Sequence, residues 1–194
     1  MKIILIILGV IIIAFSAVQL FAMSTQNDIE TYSYTVVKKY DSFEIRKYEA
    51  TLFTAVKMPS NKYNQASRKG FSILAGYIFG GNDEKKKIAM TSPVIMDMGD
   101  ETKMSFVMPK EHSMASLPEP NSDQIEILRV SPKKYAVLTF PGYANNKKIA
   151  KYSKKLRASV KSEGIETVGN IQFMGYNAPW QVLGRKNEVA IEVK

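Results

Sequence analysis

The chain has 194 residues, 45% of them apolar, and its 27 Lys and Arg against 18 Asp and Glu give a formal net charge of +9. The absence of cysteine rules out disulfides, thiolate metal sites and lipidation at cysteine, and a single histidine rules out a site built from clustered imidazoles. A chain of this length holds one domain with a sizeable core, and its positive balance suits anionic partners such as acidic headgroups, nucleic acid or a carboxylate-bearing ligand.

In chain order, the first feature is the uncharged stretch from Ile3 to Ala22, whose polar members are Ser16 and Gln19. About 20 apolar residues span a bilayer, while a signal peptide has a shorter apolar core and a small-residue cleavage site. Lys2 supplies a minimal positive start, and Ala17 or Ala22 could precede a cut, although Leu20 stands where a second small residue is preferred. Residues 1–22 therefore read as a signal peptide or a membrane anchor. Lys2 before this segment and Asp28 and Glu30 after it put the remainder outside the cytoplasm, in a periplasmic or other extracytoplasmic space. Residues 23–33 read as a polar linker and residues 34–194 as the folded domain.

Tyr34–Tyr40, Phe43–Tyr48 and Thr51–Lys57 read as strands, with Asp41 and Ser42 turning the first into the second. Pro59, Ser60 and Asn61 introduce a helix in which Tyr63, Ala66, Gly70, Ile73 or Leu74, and Tyr77 recur at helical spacing, and Gly80 and Gly81 end it. Two more strands, Lys87–Met96 and Lys103–Met108, flank a turn at Gly99 and Asp100, and a proline-rich loop follows from Pro109 to Ser122. The pattern then repeats. Ile125–Val130 and Tyr135–Phe140 are strands, Pro141 and Gly142 lead into a helix carrying Ile149, Tyr152, Leu156 and Val160, and Gly164 closes it. Ile171–Tyr176 and Glu188–Val193 enclose a loop with Pro179, Trp180 and Gly184. Each half is thus strand, strand, helix, strand, strand. One half alone would leave a sheet face bare, so two halves around a shared core, with a ligand cleft between them, are the expected arrangement.

No catalytic constellation emerges. His112 lies in a loop without a second imidazole, and Gly80–Gly81 follow a helix, whereas a phosphate loop follows a strand and opens a helix. The carboxylate pairs Asp83–Glu84 and Asp100–Glu101 sit in charged turns. The second helix carries Lys147, Lys148, Lys151, Lys154, Lys155, Arg157 and Lys161 around its apolar stripe, which reads first as a solvated face and second as a surface for lipids or a partner. No array of stacking aromatics lies beside it, so no nucleic-acid partner is expected. Met90, Met96, Met98, Met104 and Met108 cluster in one hairpin, where thioethers serve as core or as a wall for a large planar ligand.

The stretches YDSFEIRKY (Tyr40–Tyr48), GGN (Gly80–Asn82), IAMTSPV (Ile88–Val94), MSFVMP (Met104–Pro109) and GRKNEV (Gly184–Val189) resemble, in order and spacing, the SOUL haem-binding protein family. The resemblance implies an α+β fold: a distorted barrel of two antiparallel four-stranded sheets with two flanking helices and a pseudo-twofold repeat. It also implies non-covalent binding of haem or another tetrapyrrole in a shallow apolar cleft, with no catalytic residues and no dedicated metal site. By position, the site residues it suggests are Lys69, Ser72, Gly76 and Tyr77 on the first helix, and Tyr176, Trp180, Leu183 and Arg185 on the loop before the last strand. Apolar and aromatic walls suit the ring, and Lys69 and Arg185 suit its propionates. Ser72 and Gly76 stand where several relatives have methionine, and Lys47 stands where some have histidine, so iron would be held without strong protein ligation, or by Tyr or Met. The expected activity is that of a monomeric carrier, buffer or scavenger of tetrapyrrole. A membrane-associated interaction protein using the basic helix, or a binder of another small hydrophobic ligand, is the alternative.

Overall fold

The computed structural model describes residues 2–27, 29–58, 63–99 and 101–194. Asp28, the helix lead-in at Pro59–Asn61 and the turn residue Asp100 lie outside the described residues. The elements are α1 (Lys2–Asn27), β1 (Glu30–Thr31), β2 (Tyr34–Lys39), β3 (Glu44–Tyr48), β4 (Thr51–Lys57), α2 (Tyr63–Ile78), β5 (Thr91–Ser92), β6 (Val94–Asp97) and β7 (Lys103–Val107). They continue with β8 (Ile125–Val130), β9 (Lys133–Pro141), α3 (Asn146–Ser162), β10 (Thr167–Gly175) and β11 (Lys186–Val193).

Nine strands form one curled antiparallel sheet in the order β2-β3-β9-β11-β10-β6-β7-β4-β8, and β1 pairs in parallel with β5 beside it. The expected α+β architecture with two helices flanking the domain is present, its sheet curled into a half-barrel, but the expected split into two separate four-stranded sheets is not seen. Gln172–Gly175 of β10 pair with Asp97–Val94 of β6, and these ladder bonds join the two sets of strands into one sheet. With β2 set aside, the order reads the same from either end once β3, β4, β6 and β7 are exchanged for β8, β9, β10 and β11. The internal repeat is therefore written into the pairing. The first strand of each half crosses to the other half, β3 to β9 and β4 to β8.

Two local readings change. The run Lys87–Met96 is not one strand: Lys87 makes a lone bridge to Phe79, and Pro93, which has no amide proton to give a ladder, separates β5 from β6. Pro141 ends β9, and α3 starts later, where the Asn145 side chain accepts the Lys148 amide at 2.9 Å. That cap satisfies a first-turn donor with no partner inside the helix, so Asn145→Ala is expected to lower stability by about 1 kcal/mol in a urea titration. The ends of α2 and α3 fall where the glycines predict, with Gly80 at φ +107 and Gly164 at φ +66.

Period-two alternation explains where the core lies. On one face, Ala136, Leu138 and Phe140 of β9, Val189 and Ile191 of β11 and Met104 and Phe106 of β7 meet Leu74, Tyr77 and Ile78 of α2 and Ile149, Leu156 and Val160 of α3. Gly70 lets α2 sit close, since a Cβ there would lie 2.7 Å from the Met58 sulfur and 3.2 Å from the Met104 Cβ. The lysines of α3 point away from this core, and all but the half-buried Lys148 are exposed.

The opposite face is filled by Tyr32, Tyr48 and Tyr135 with Val137, Met174 and Ala190. In this layer Glu188 is fully buried, and its carboxylate takes bonds from Arg46 (3.0 Å), Lys186 (3.1 Å), Tyr176 (2.6 Å) and Thr139 (3.1 Å). Burial alone would raise its pKa, but the Arg46 guanidinium, then the Lys186 ammonium and the Tyr176 hydroxyl, hold it below the ordinary value.

Candidate functional site

A cleft of about 380 Å³ opens between the first two turns of α2 and the connection from β10 to β11. Its residues come from both halves of the repeat. Met96 of β6 and Met104 of β7 stand opposite one another across the strand pair and, with Phe173 of β10, form an apolar floor. Tyr63, Ser67 and Phe71 recur every four residues along α2 and make one wall, with Arg68 exposed beside them. Tyr63 meets Phe173 edge to face at 5.0 Å.

The other wall is the 176–185 loop, which Arg185 fastens. Its guanidinium donates to the carbonyls of Ala178 (2.7 Å), Gln181 (2.6 Å) and Asn177 (3.4 Å) and lies 4.2 Å over the ring of Tyr143. Tyr143 in turn donates to the Pro179 carbonyl at 3.1 Å, and the Asn187 amide donates to the Gly142 carbonyl at 2.6 Å. The Nε of Arg185 is buried without an acceptor among the described residues. An orphaned guanidinium donor on the rim of an apolar cleft favours an acidic group there. Burial raises the Tyr63 hydroxyl above its ordinary pKa while Arg185 pulls it back. The volume falls in the range of small-molecule pockets, and the combination of apolar floor, aromatic edges and two guanidinium groups suits a planar apolar molecule with acidic substituents.

The model for the SOUL heme-binding protein family matches residues 29–192. The chain belongs to that family. Heme-binding protein 1 of Sus scrofa is 29% identical over 175 residues, covering 83% of this chain and 91% of that protein. Heme-binding protein 2 of Homo sapiens is 27% identical over 157 residues, covering 76% of each. Among solved structures, the EcmrR C-terminal domain superposes with a TM-score of 0.61 at 7% identity, covering 83% of this chain and 98% of that one, a likeness of fold alone.

In this SOUL domain the residues suggested by family position do not all meet. Arg185 lines the cleft. Trp180 and Leu183 lie on the same loop, 65% and 53% exposed. Lys69, Ser72 and Gly76 form an exposed stripe of α2 turned away from the floor. Tyr77 is buried, donates to the Pro118 carbonyl at 2.8 Å and has its pKa pushed up to about 12, mainly by burial. Tyr176 belongs to the Glu188 cluster on the opposite face of the sheet, under the Lys186 ammonium at 4.1 Å. Lys47 is an exposed residue of β3. The reading by position passed over Ser67, Arg68 and Phe71. The helical stripe that starts at Tyr63 is the signal that reaches them, because Ser67 and Phe71 continue it at four-residue steps.

The other candidates fall outside the cleft. His112 borders a separate shallow depression with Glu49, Leu52 and Arg129. Glu84 pairs with Lys86, and Glu101 pairs with Lys57 at 3.3 Å. Among the described residues no group of three His, Asp or Glu side chains converges as a metal site requires.

Proposed function

We propose that this SOUL-family chain binds haem or a related tetrapyrrole non-covalently in the α2 cleft, outside the cytoplasm, and serves as a carrier, buffer or scavenger. The observation that carries the reading is the apolar floor of Met96, Met104 and Phe173 bordered by a guanidinium whose Nε lacks an acceptor among the described residues. Phe71 and Phe173 contact the ring, and Arg68 and Arg185 hold its propionates. Trp180 and Leu183 sit on the loop that walls the cleft. Iron would meet thioether or phenol donors here, since the cleft offers Met96, Met104 and Tyr63 and no imidazole. Relatives named heme-binding proteins, matched over most of their length, support the ligand class.

Titration of the full chain with hemin should give a saturable one-to-one shift of the Soret band and quench the emission of Trp180, the sole tryptophan. Ser67→Trp, which fills the cleft from the helix side without touching the core, is expected to weaken hemin by about tenfold or more, equivalent to ~1.4 kcal/mol. A hemin isotherm that does not saturate, or one unmoved by Ser67→Trp, rejects the site.

A further inference from the structure

The N-terminal helix does not stand clear of the domain. Gln19, a polar residue within the apolar stretch of α1, is only 3% exposed because it is bonded to the cleft loop. Its Oε1 accepts the amides of Val182 (2.8 Å) and Leu183 (3.3 Å), and its Nε2 donates to the Trp180 carbonyl at 3.2 Å. The side chains of the same loop face outward: Trp180, Val182 and Leu183 are all exposed, as are Leu20 and Met23 of α1. The helix is long and apolar enough to cross a bilayer, and almost none of that window is buried.

We infer that α1 stays attached and that the loop formed by Trp180, Val182 and Leu183 is a membrane-docking surface whose partner is the headgroup boundary of the bilayer that α1 spans. Depth carries the argument. At 1.5 Å per residue, the twenty residues from Ile3 to Ala22 cover the ~30 Å hydrocarbon layer, so Gln19 lies roughly 5 Å inside its edge. A polar amide at that depth needs internal partners, and three backbone groups of the loop supply them. The loop is thereby pinned at the level where tryptophan, apolar on its body and polar at its N–H, is enriched in membrane proteins. Bare aliphatic and indole surface on a loop is costly in water and favourable there. Resting on the tetrapyrrole reading, the consequence is that Pro179 and Arg185, which flank this loop and line the cleft, set its mouth at the lipid surface, so that ligand enters from and leaves to the membrane.

The single tryptophan makes the test direct. The ligand-free full chain is reconstituted in phosphatidylcholine vesicles whose acyl chains carry bromine either just below the headgroups or near their ends. Trp180 emission should shift to the blue, be quenched by the shallow bromine more than by the deep one, and resist aqueous iodide. Gln19→Leu keeps α1 apolar but removes the loop's acceptor, and should restore iodide quenching of Trp180 while the chain stays with the vesicles. Emission insensitive to bromine and fully open to iodide overturns the inference, and so does a mature chain that begins near Met23. Because no haem is added, a chain that binds no haem can still pass this test, and one that binds haem can still fail it.

Discussion

Arg46→Ala is expected to cost the domain about 3–5 kcal/mol, because it strands a carboxylate that no water reaches. Glu188 has no exposed surface, and of its two cationic partners Lys186 is the one in contact with solvent, with 39% of its side chain accessible. Arg46 is held for this role from both sides, by Glu44 at 2.8 Å and by the ring of Tyr34 at 4.4 Å. The pH dependence supplies the sharper signature. In the native chain the folded pKa of Glu188 lies below its ordinary value of about 4.3, so its stabilisation is fully present above that pH and is lost as pH falls through the folded value. Without Arg46, burial outweighs the remaining partners and the folded pKa rises above the ordinary one. The variant then suffers most at neutral pH, and its deficit should shrink between pH ~7 and ~5 as Glu188 takes up a proton. Urea titrations followed by circular dichroism at both pH values measure this. A deficit below ~1 kcal/mol, the range of an exposed ion pair, or one equal at the two pH values, would sink the account.

Phe173→Ala is the second large effect, and its comparison with Trp180→Ala sets an aromatic of the cleft floor against an exposed aromatic of the loop that walls the cleft. Phe173 is 3% exposed and touches Tyr63 at 5.0 Å and Phe140 at 6.4 Å between ring centres, so truncation should cost about 3–5 kcal/mol and leave a hole in the cleft floor. Trp180 is the larger ring but stands in the open, and Trp180→Ala should change stability by no more than ~0.5 kcal/mol. Hemin affinity should fall in both variants, through the floor in the first and through the rim in the second. Equal losses of stability would mean that the loop packs differently from the arrangement described.

These contrasts bear on what the residues alone can reveal. The strands Thr51–Lys57 and Ile125–Val130 and the glycine stops of both helices were legible, because period-two alternation and a positive-φ cap are local properties. The family motifs were legible too, but they chiefly mark what holds the fold. Asn82 of GGN bonds the carbonyls of Tyr77 (3.1 Å) and Lys86 (2.8 Å), and YDSFEIRKY and GRKNEV carry Arg46 and Glu188, which meet across 142 residues of chain. No local pattern pairs residues so far apart. The continuity of the sheet was hidden for the same reason, since the β6–β10 junction joins the two halves. On α2 the helix itself was evident, whereas the cleft falls where the 176–185 loop crosses its first turns, a tertiary fact that set Ser67, Arg68 and Phe71 above the exposed Lys69, Ser72 and Gly76.

The crossing of strands has a consequence for how the cleft can move. Glu44 pairs with Val137 and Thr51 with Val130, so each half contributes a strand that is hydrogen-bonded into the other. Two lobes joined in this way are interlocked rather than hinged, and they cannot swing apart around a ligand without breaking ladder bonds on both sides of the sheet. Whatever opening the cleft undergoes is confined to the first turns of α2 and to the Arg185-fastened loop, the two parts of its wall that no strand ties down. A large planar guest is therefore admitted by local shifts of rim side chains over a floor that stays fixed.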